Sequence, residues 1–300
     1  MSNNLDTLLT ALYVDLDDRV LPALGWSRDH RAGRKPVLTD AELICLVVAQ
    51  QLLGISSERR WIRYAHKHLR QTFPYLPGQS GYSKRVRSLG GLLSAVMGEL
   101  ARDVPSWNDN LRLVDSTPLP CAASRETVKR SDLAGHAGYG YCASHSRFFW
   151  GFRLYLITTG EGMPIIWGLA NPKIGEREVT QALLEHDHHL IRTGQVIVGD
   201  KGFAGKDFEV FITNDLGAHL VRPDRKNEPK RFGKIARIRQ WIEAIFDTLK
   251  GQLTLEDHGA RTLPGVYARV AARLLAMATA IWHNWNTDAP IKRSLTAYDH

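Results

Sequence analysis

Cysteine is scarce in this sequence, and its thiols are not spaced for disulfides or for zinc. The 300 residues include three cysteines, Cys45, Cys121 and Cys142, with no C-x-x-C pair among them. An odd number of widely separated cysteines supports neither a disulfide framework nor a zinc ribbon. We therefore expect a protein of a reducing compartment, and we predict that it is cytoplasmic.

Long apolar segments are also missing. The longest uncharged apolar runs, residues 43–57 and 274–287, both contain polar side chains. They fall short of the roughly 20 residues that a membrane span requires. The first residues lack the basic flank that precedes the apolar part of a secretory signal. The sequence therefore predicts no membrane partner.

The chain contains the proportion of apolar residues that is typical of globular proteins, and it has an excess of basic charge. Hydrophobic residues make up 44% and charged residues 23% of the sequence, which suits one large domain and a smaller one. The 39 Lys and Arg residues outnumber the 31 Asp and Glu residues, which gives a net charge of +8. A basic balance favours a polyanionic partner, although a soluble basic enzyme would have the same composition.

Residues up to about 103 carry helical patterns and no strand signal. Leucines between residues 5 and 24 recur at spacings of three and four, which is typical of an amphipathic helix. Thr39 and Glu42 are spaced for a capping box at the start of a second helix. Further helices are predicted at about 57–70 and 82–103.

Basic charge is concentrated in this helical region. Residues 57–90 contain eight Lys or Arg side chains and one acid. Two short helices with this charge, separated by a turn, resemble a helix-turn-helix that enters a DNA major groove. A solvated basic face on a helical bundle is the alternative. The candidate DNA-binding residues are Arg59, Arg60, Arg63, Lys67, Lys84, Arg85 and Arg87.

After about residue 110 the pattern changes to strands, and two of these end on an aspartate. Residues 111–114 form an apolar run that ends on Asp115, and Pro118 and Pro120 are expected to stop the strand there. Residues 196–198 form a second, β-branched run that ends on Asp200. Two carboxylates at the ends of buried strands bring like charges together and require a cation.

Further strands and helices are predicted around these aspartates. Residues 148–157 and 163–170 are expected to pair as a hairpin, and residues 178–189 have helical spacing. A helix at 206–216 and a strand at 218–221 should follow. The Gly- and Tyr-rich segment 121–146 is expected to be a loop, and an Ala-rich terminal helix is expected near the C-terminus.

A helix predicted at 235–250 carries a third acid. Its apolar residues recur along one face, and Arg239, Glu243 and Lys250 cluster along the edge of that face. Glu243 is either a functional acid or the partner of Arg239 in an i, i+4 surface pair. Asp247, one turn later, is a rival acid.

These acids have the chemistry for a two-metal reaction on phosphodiesters. Such a reaction activates an attacking oxygen and stabilises a leaving oxygen, and two metal ions about 3.5–4 Å apart do both. Carboxylate oxygens are the hard ligands that Mg²⁺ and Mn²⁺ prefer. Asp115 and Asp200, with either Glu243 or Asp247 as the third acid, are therefore candidate catalytic residues and metal ligands.

Three segments, taken in this order, resemble the motifs of a DDE-class insertion-sequence transposase. They are residues 113–118 (LVDSTP), residues 198–203 (VGDKGF), and Arg239, Glu243 and Lys250, which match the family's pattern of Arg, three residues, Glu, six residues and Lys. Ala236 stands where that pattern has Tyr, and its effect is open. The resemblance implies an α/β fold: a ribonuclease H-like mixed sheet flanked by helices, preceded by an all-helical N-terminal domain.

The resemblance also implies roles, cofactors and partners. Asp115 would bridge two Mg²⁺ or Mn²⁺ ions, and Asp200 and Glu243 would each complete one ion's site. Arg239 and Lys250 would contact DNA phosphate. The implied partner is double-stranded DNA, both at the transposon ends and at the target, bound by a homodimer that is associated with the nucleoid.

The expected domains are a helical DNA-binding domain at 1–107, a catalytic domain at 108–255, and a helical tail at 256–300 packed on the catalytic core. Two other functions remain open. A haloacid-dehalogenase-like phosphatase would use Asp115 as nucleophile, but it requires a second acid where Thr117 stands. A non-catalytic DNA-binding regulator would need only the basic helices.

Overall fold

The computed structural model describes residues 3–26, 36–142, 146–233, 235–289 and 295. The chain divides into two compact units, one made of residues 1–103 and 248–300 and the other of residues 104–247. The expected boundaries were 107 and 255, with the C-terminal residues as a tail on the catalytic core. Instead, the C-terminal segment joins the N-terminal helices in one unit.

The N-terminal part of the helical unit is formed by consecutive α-helices. They are α1 (Asn3–Asp15), α2 (Leu21–Ala23), α3 (Asp40–Leu52), α4 (Glu58–His68), α5 (Gln79–Ser88) and α6 (Gly90–Asp103). α1 continues through one π-helical turn into α2. The leucines of α1 are buried, as their spacing predicts.

α3 is the central helix of this unit, because nearly all of its residues are buried. The predicted capping box at its start is confirmed. The backbone N–H of Glu42 donates to Thr39 Oγ1 at 3.1 Å, and the backbone N–H of Thr39 donates to Glu42 Oε2 at 2.6 Å. The box satisfies two N–H groups that a helix start otherwise leaves without partners.

α4 and α5 are the two basic helices, and the segment between them is long. Residues 69–78 connect them, whereas the turn of a helix-turn-helix has about three or four residues. The resemblance to that motif therefore rests on charge and not on the geometry of the turn. DNA binding by these helices stays a proposal.

The second unit is a mixed α/β structure built on one sheet. Its elements are β1 (Leu111–Ala122), α7 (Arg125–Lys129), β2 (Gly138–Cys142), β3 (Arg147–Thr159), β4 (Pro164–Ala170), α8 (Glu176–His186), β5 (Val196–Val198), α9 (Lys206–Val210), β6 (His219–Val221) and α10 (Ala236–Gly251). α10 continues four residues past the division between the units.

The strand order is that of a ribonuclease H-like sheet with one added strand. β1 lies between β3, which is antiparallel to it, and β5, which is parallel, and β6 continues the parallel part. β4 pairs with the C-terminal half of β3, and β2 with its N-terminal part, on the edge away from β1. The predicted β3–β4 hairpin is confirmed.

β1 passes through both prolines, so the prediction that they stop the strand is wrong. β3 pairs with β1 through Pro118 and Pro120, but β5 pairs with β1 only as far as Leu113. Residues two apart direct their backbone nitrogen to the same edge of a strand. A strand that has lost one neighbour can therefore accept two prolines, because no ladder hydrogen bond is required there.

The core of the α/β unit lies between the sheet and its helices. Its buried members come from β1, β3, β4 and β5 and from the helices and turns beside them: Val114, Ile157, Ile165, Ile166, Leu184, Ile191, Ile197, Phe203, Phe208, Phe211, Ile212 and Ala218. This burial fixes the parallel strands β1 and β5 relative to α8, and so positions whatever follows their C-terminal ends.

The last helix, α11 (Leu263–Asn286), completes the helical unit. It packs on α3, α5 and α6, and it approaches α6 closely at Gly90, directly after the residue that divides the predicted helix 82–103. A Cβ atom on Gly90 would lie 3.0 Å from Tyr267 Cδ1 and 3.4 Å from Ala268 Cβ. Among the described residues, no helix has both the length and the hydropathy to cross a membrane.

Candidate active site

Asp115 lies in β1 where the strand loses its parallel neighbour. β1 and β5 pair as far as Leu113 and Val198, and Asp115 pairs with Leu156 of β3 on the other edge. Its side chain is half-buried. Its Oδ1 accepts a hydrogen bond of 2.7 Å from the backbone N–H of Ser116, so the strand itself holds one carboxylate oxygen.

Asp200 stands beside Asp115 because each follows the last parallel pair by two residues. That last pair is Leu113 and Val198. Asp200 begins a short 3₁₀ turn, and its Oδ1 accepts a hydrogen bond of 2.5 Å from the backbone N–H of Gly202. The structure therefore brings the two strand-end aspartates together at one edge of the sheet.

The electrostatics of Asp115 reflect this proximity. Burial is the largest cause of a rise in the pKa of Asp115 to about 7, and the negative charges of Asp200 and Glu176 also raise it. The N–H of Ser116 and the guanidinium of Arg239 act in the opposite direction. Ionising Asp115 is therefore unfavourable unless a cation compensates its charge.

Glu176 is a further acid of this site, beyond those that the sequence motifs predict. It is the first residue of α8, where an acidic side chain is ordinary because it complements the helix dipole. In the fold, its Oε1 accepts hydrogen bonds from Ser116 Oγ at 2.9 Å and from Arg153 Nη1 at 2.6 Å. The sequence gives no signal for these long-range contacts.

Gly202 allows the carboxylates of Asp200 and Glu176 to converge. A Cβ atom at this position would lie 2.7 Å from Asp200 Oδ1 and 2.8 Å from Glu176 Oε2. Real Cβ atoms do not approach other atoms so closely. The absence of a side chain at residue 202 therefore leaves space for both carboxylate oxygens.

Glu243 lies on the exposed side of α10. Its side chain is 55% exposed, and its Oε1 is 3.6 Å from Nη2 of Arg239. This is the i, i+4 pair that the sequence left as an alternative, and Asp247 is also exposed. No three His, Cys, Asp or Glu side chains of the described chain are grouped so that they could hold a metal ion. Glu243 is thus not gathered with Asp115 and Asp200 into one ligand set.

The other predicted phosphate contacts have different surroundings. Arg239 is close enough to Asp115 to lower its pKa. Lys250 is in the last turn of α10 and belongs to the helical unit, where its Nζ is 3.9 Å from Glu256 Oε1. Ala236, at the Tyr position of the motif, is exposed at the start of α10.

The basic side chains of α4 and α5 divide into two groups. Arg85 is partly buried, and its guanidinium donates to the Leu38 carbonyl and to Asp40 Oδ1, each at 2.9 Å. Arg85 therefore ties α5 to the start of α3, and this structural role explains it without DNA. The remaining six are exposed: Arg59, Arg60, Arg63, Lys67, Lys84 and Arg87.

The donor chemistry at Asp115 and Asp200 fits a hard divalent cation. Each carboxylate has one oxygen held by a backbone N–H, which orients the other oxygen as a ligand. Oxygen ligands suit Mg²⁺ and Mn²⁺ better than softer metals. The like charges of the pair favour a cation for the same reason that they raise the pKa of Asp115.

A family model described as "Transposase DDE domain" matches residues 106–278. Among solved structures, a cryo-EM structure of a piggyBac transposase synaptic complex with hairpin DNA is similar, with a TM-score of 0.43 and 8% sequence identity over 98% of this chain and 84% of that one. No curated protein matches this chain. The family match includes Asp115, Asp200 and Glu243.

Proposed function

The chain belongs to the transposase DDE domain family, and on that premise we propose that it binds the ends of its insertion sequence and catalyses metal-dependent DNA cleavage and strand transfer. Membership of the family assigns the chain to DNA transposition by a mobile element.

The pair of Asp115 and Asp200 is the observation that supports this proposal most. The two side chains follow neighbouring parallel strands and emerge at the same edge of the sheet. Their mutual repulsion contributes to the raised pKa of Asp115, which makes the pair unfavourable in the absence of a cation. Perturbed carboxylates of this kind are typical of functional sites.

We propose that Asp115 and Asp200 hold Mg²⁺ or Mn²⁺, with Glu243 as the third acid and two ions in each site. When bound, the ions would activate the attacking oxygen and stabilise the leaving oxygen. Asp115 and Asp200 follow neighbouring parallel strands and would hold an ion together. Glu243 would supply the third carboxylate, and its exposure leaves that carboxylate accessible for this role.

The proposed reaction has two steps, and in each of them an oxygen nucleophile attacks a phosphodiester. Water first attacks the phosphodiester at the end of the element, which frees a 3′-OH on that end. The 3′-OH then attacks a phosphodiester of the target DNA, which joins the element to the target 5′-phosphate, breaks the target P–O bond and releases a target 3′-OH. Arg239, whose charge lowers the pKa of Asp115, would contact a phosphate in both steps, and Lys250 would contact a phosphate further along α10.

The exposed basic side chains of α4 and α5 are proposed to bind the transposon ends. Lys and Arg neutralise phosphates and release condensed counterions, so binding should weaken strongly as salt is raised. Arg85 is left out of this set because Asp40 and Leu38 already engage its guanidinium. A homodimer is proposed because two ends must be held for one transposition event.

The test is cleavage of DNA that carries the element's terminal repeats, in Mg²⁺ or Mn²⁺. The unaltered chain is compared with Asp115→Ala, Asp200→Ala and Glu243→Ala, and Asp247→Ala serves as the control on the same helix. The three substitutions are expected to abolish nicking while binding to the ends survives, because they remove carboxylate ligands and no phosphate contact. Asp247→Ala is expected to cut normally.

Other outcomes would favour the other functions. Binding of the ends without any cleavage by the unaltered chain would point to a regulator. Hydrolysis of small phosphate esters that depends on Asp115 would point to a phosphatase, although Thr117, where that family needs its second acid, is buried in β1. Nicking that persists in Glu243→Ala and is lost in Asp247→Ala would reassign the third acid.

A further inference from the structure

Ser116 connects two acids of the active site. Its backbone N–H donates to Asp115 Oδ1 at 2.7 Å, and its hydroxyl donates to Glu176 Oε1 at 2.9 Å. Arg153 completes the group, because its Nη1 donates to Ser116 Oγ at 2.7 Å and to Glu176 Oε1 at 2.6 Å. Ser116 is thus fixed by a cation and an anion while its backbone holds Asp115.

The three members of this group come from three different elements. Ser116 is in β1, Arg153 is in the neighbouring strand β3, and Glu176 begins α8. The side chain of Arg153 is only 19% exposed, and its Nη2 also donates to the carbonyl of Tyr141 in β2 at 3.4 Å. A side chain packed on this many elements has little freedom, so it can hold Ser116 in one position.

The pairing of Arg153 with Glu176 differs from a simple salt bridge. An arginine and a carboxylate often form two parallel hydrogen bonds that use both oxygens. Here Arg153 and Ser116 share Oε1, and Oε2 points towards Gly202 and the Asp200 carboxylate. The pair of Arg153 and Glu176 therefore contacts Ser116 on one side and lies near the Asp200 carboxylate on the other.

We propose that Arg153 and Glu176 are positioning residues that orient the Asp115 carboxylate by fixing Ser116. The inference rests on the proposed function, since the orientation of Asp115 matters only if Asp115 is an active-site acid. Groups that hold metal ligands in place usually contribute about 10- to 100-fold in metal affinity or activity. Neither Arg153 nor Glu176 needs to touch DNA or the ions for this effect.

The experiment measures Mn²⁺ binding to the DNA-free full chain by calorimetry, together with the affinity for terminal-repeat DNA and the single-turnover cleavage rate. The variants are Glu176→Gln, Ser116→Ala and the double variant. Glu209→Gln is the matched control, because Glu209 forms an Arg–Glu pair of the same length, 2.6 Å to Arg222, in the same unit. The hydrogen bonds of Glu209 come from Arg222 and Arg231, and none of these bonds involves Ser116.

Glu176→Gln and Ser116→Ala are each expected to weaken Mn²⁺ binding about 10-fold or more and to slow cleavage, with DNA affinity unchanged. The double variant should be no weaker than Glu176→Gln, because both substitutions break the same chain of contacts. Glu209→Gln should leave Mn²⁺ affinity unchanged. If Glu176→Gln does not fold, Ser116→Ala, which keeps the ion pair, carries the same expectation.

Several results would overturn the inference. They are unchanged Mn²⁺ affinity in Ser116→Ala, multiplied effects in the double variant, an equal loss in Glu209→Gln, or no Mn²⁺ binding by the unaltered chain. Loss of Mn²⁺ affinity in both single variants of a chain that cuts no DNA would support the inference and contradict the proposed function. Normal cleavage with unchanged Mn²⁺ affinity in both variants would support the proposed function and contradict the inference.

Discussion

Substituting Gly202 by alanine should disturb the active site while leaving the fold intact. Gly202 has no positive backbone φ angle, so alanine can adopt its conformation without strain. The added Cβ atom would meet Asp200 Oδ1 at 2.7 Å and Glu176 Oε2 at 2.8 Å. Gly202→Ala therefore acts by displacing two carboxylates and not by unfolding the turn.

The size of the effect follows from these distances. Ordinary van der Waals contact at a Cβ atom begins at 3.4 Å, so the two oxygens must each move by about 0.6–0.7 Å. Both belong to the ends of side chains, so we expect unfolding to be affected by less than about 1 kcal/mol. A misplacement of about 1 Å can reduce an enzymatic rate about 100-fold. We expect cleavage by Gly202→Ala to be slower by about 10- to 100-fold.

The assay is single-turnover nicking of terminal-repeat DNA, with thermal unfolding measured on the same samples. Gly175→Ala is the control, because a Cβ atom at this position, directly before Glu176, meets no atom within 4 Å. Gly175→Ala should cut at the normal rate. Normal cutting by Gly202→Ala, or a loss of folding large enough to explain slow cutting, would refute the reasoning.

Three further predictions concern the fold. Gly151→Ala should destabilise the protein by about 3 kcal/mol or more in denaturant titrations, because its Cβ atom would lie 2.1 Å from the Leu119 carbonyl oxygen; a variant of normal stability would contradict the β1–β3 register. Gly98→Ala should stabilise α6 by about 0.5–1 kcal/mol, since a Cβ atom there meets nothing within 4 Å; a loss of stability would contradict that open space. Burial lowers the pKa of His283 in the folded chain. Below about pH 6.5 the imidazole therefore binds a proton more readily in the unfolded chain than in the folded one. The free energy of unfolding should fall as pH is lowered through this range. In urea titrations at several pH values, the free energy of unfolding of His283→Gln should fall less steeply with pH than that of the unaltered chain. The same pH dependence in both proteins would contradict this prediction. The raised pKa of Asp115 acts in the opposite direction, and does so equally in the unaltered chain and the variant.

The sequence contained enough to predict that Asp115 and Asp200 meet. Each follows a short apolar run whose last residues, Leu113 and Val114 in β1 and Ile197 and Val198 in β5, are buried, and the two strands are parallel. Local composition determines such strands. Because parallel neighbours have their carboxyl ends at the same edge of the sheet, the residues that follow them lie close together. The hairpin of β3 and β4 was predictable for the same reason, since both strands carry strong β-formers on either side of a glycine turn.

Glu176 was not predictable, because its role depends on contacts far along the chain. Ser116 and Arg153 lie 60 and 23 residues away from it, and an acid in the first turn of a helix has an ordinary local explanation. β2 was missed because its Gly-Tyr-Gly-Tyr sequence suggests a loop. In the fold, Gly140 lets Phe149 and Pro172 approach where a Cβ atom would be 2.6 Å from each.

Tertiary context also overrode local signals elsewhere. Pro118 and Pro120 were expected to end β1, but the loss of β5 as a neighbour removes the hydrogen bonds they would have broken. The C-terminal helix α11 was expected to pack on the catalytic core. Its buried surface pairs instead with α3 and α6, a choice that amphipathicity alone does not specify, because any apolar face would satisfy the pattern.

The most direct test of the account is to map the DNA ends that the chain produces. A supercoiled plasmid carrying the element is incubated with Mg²⁺ and either the unaltered chain or Asp115→Asn, which keeps the size of the side chain and removes its charge. We expect a free 3′-OH at the end of the element with the unaltered chain and no cleavage with Asp115→Asn. Cleavage by a folded Asp115→Asn variant at the rate of the unaltered chain would contradict the central claim.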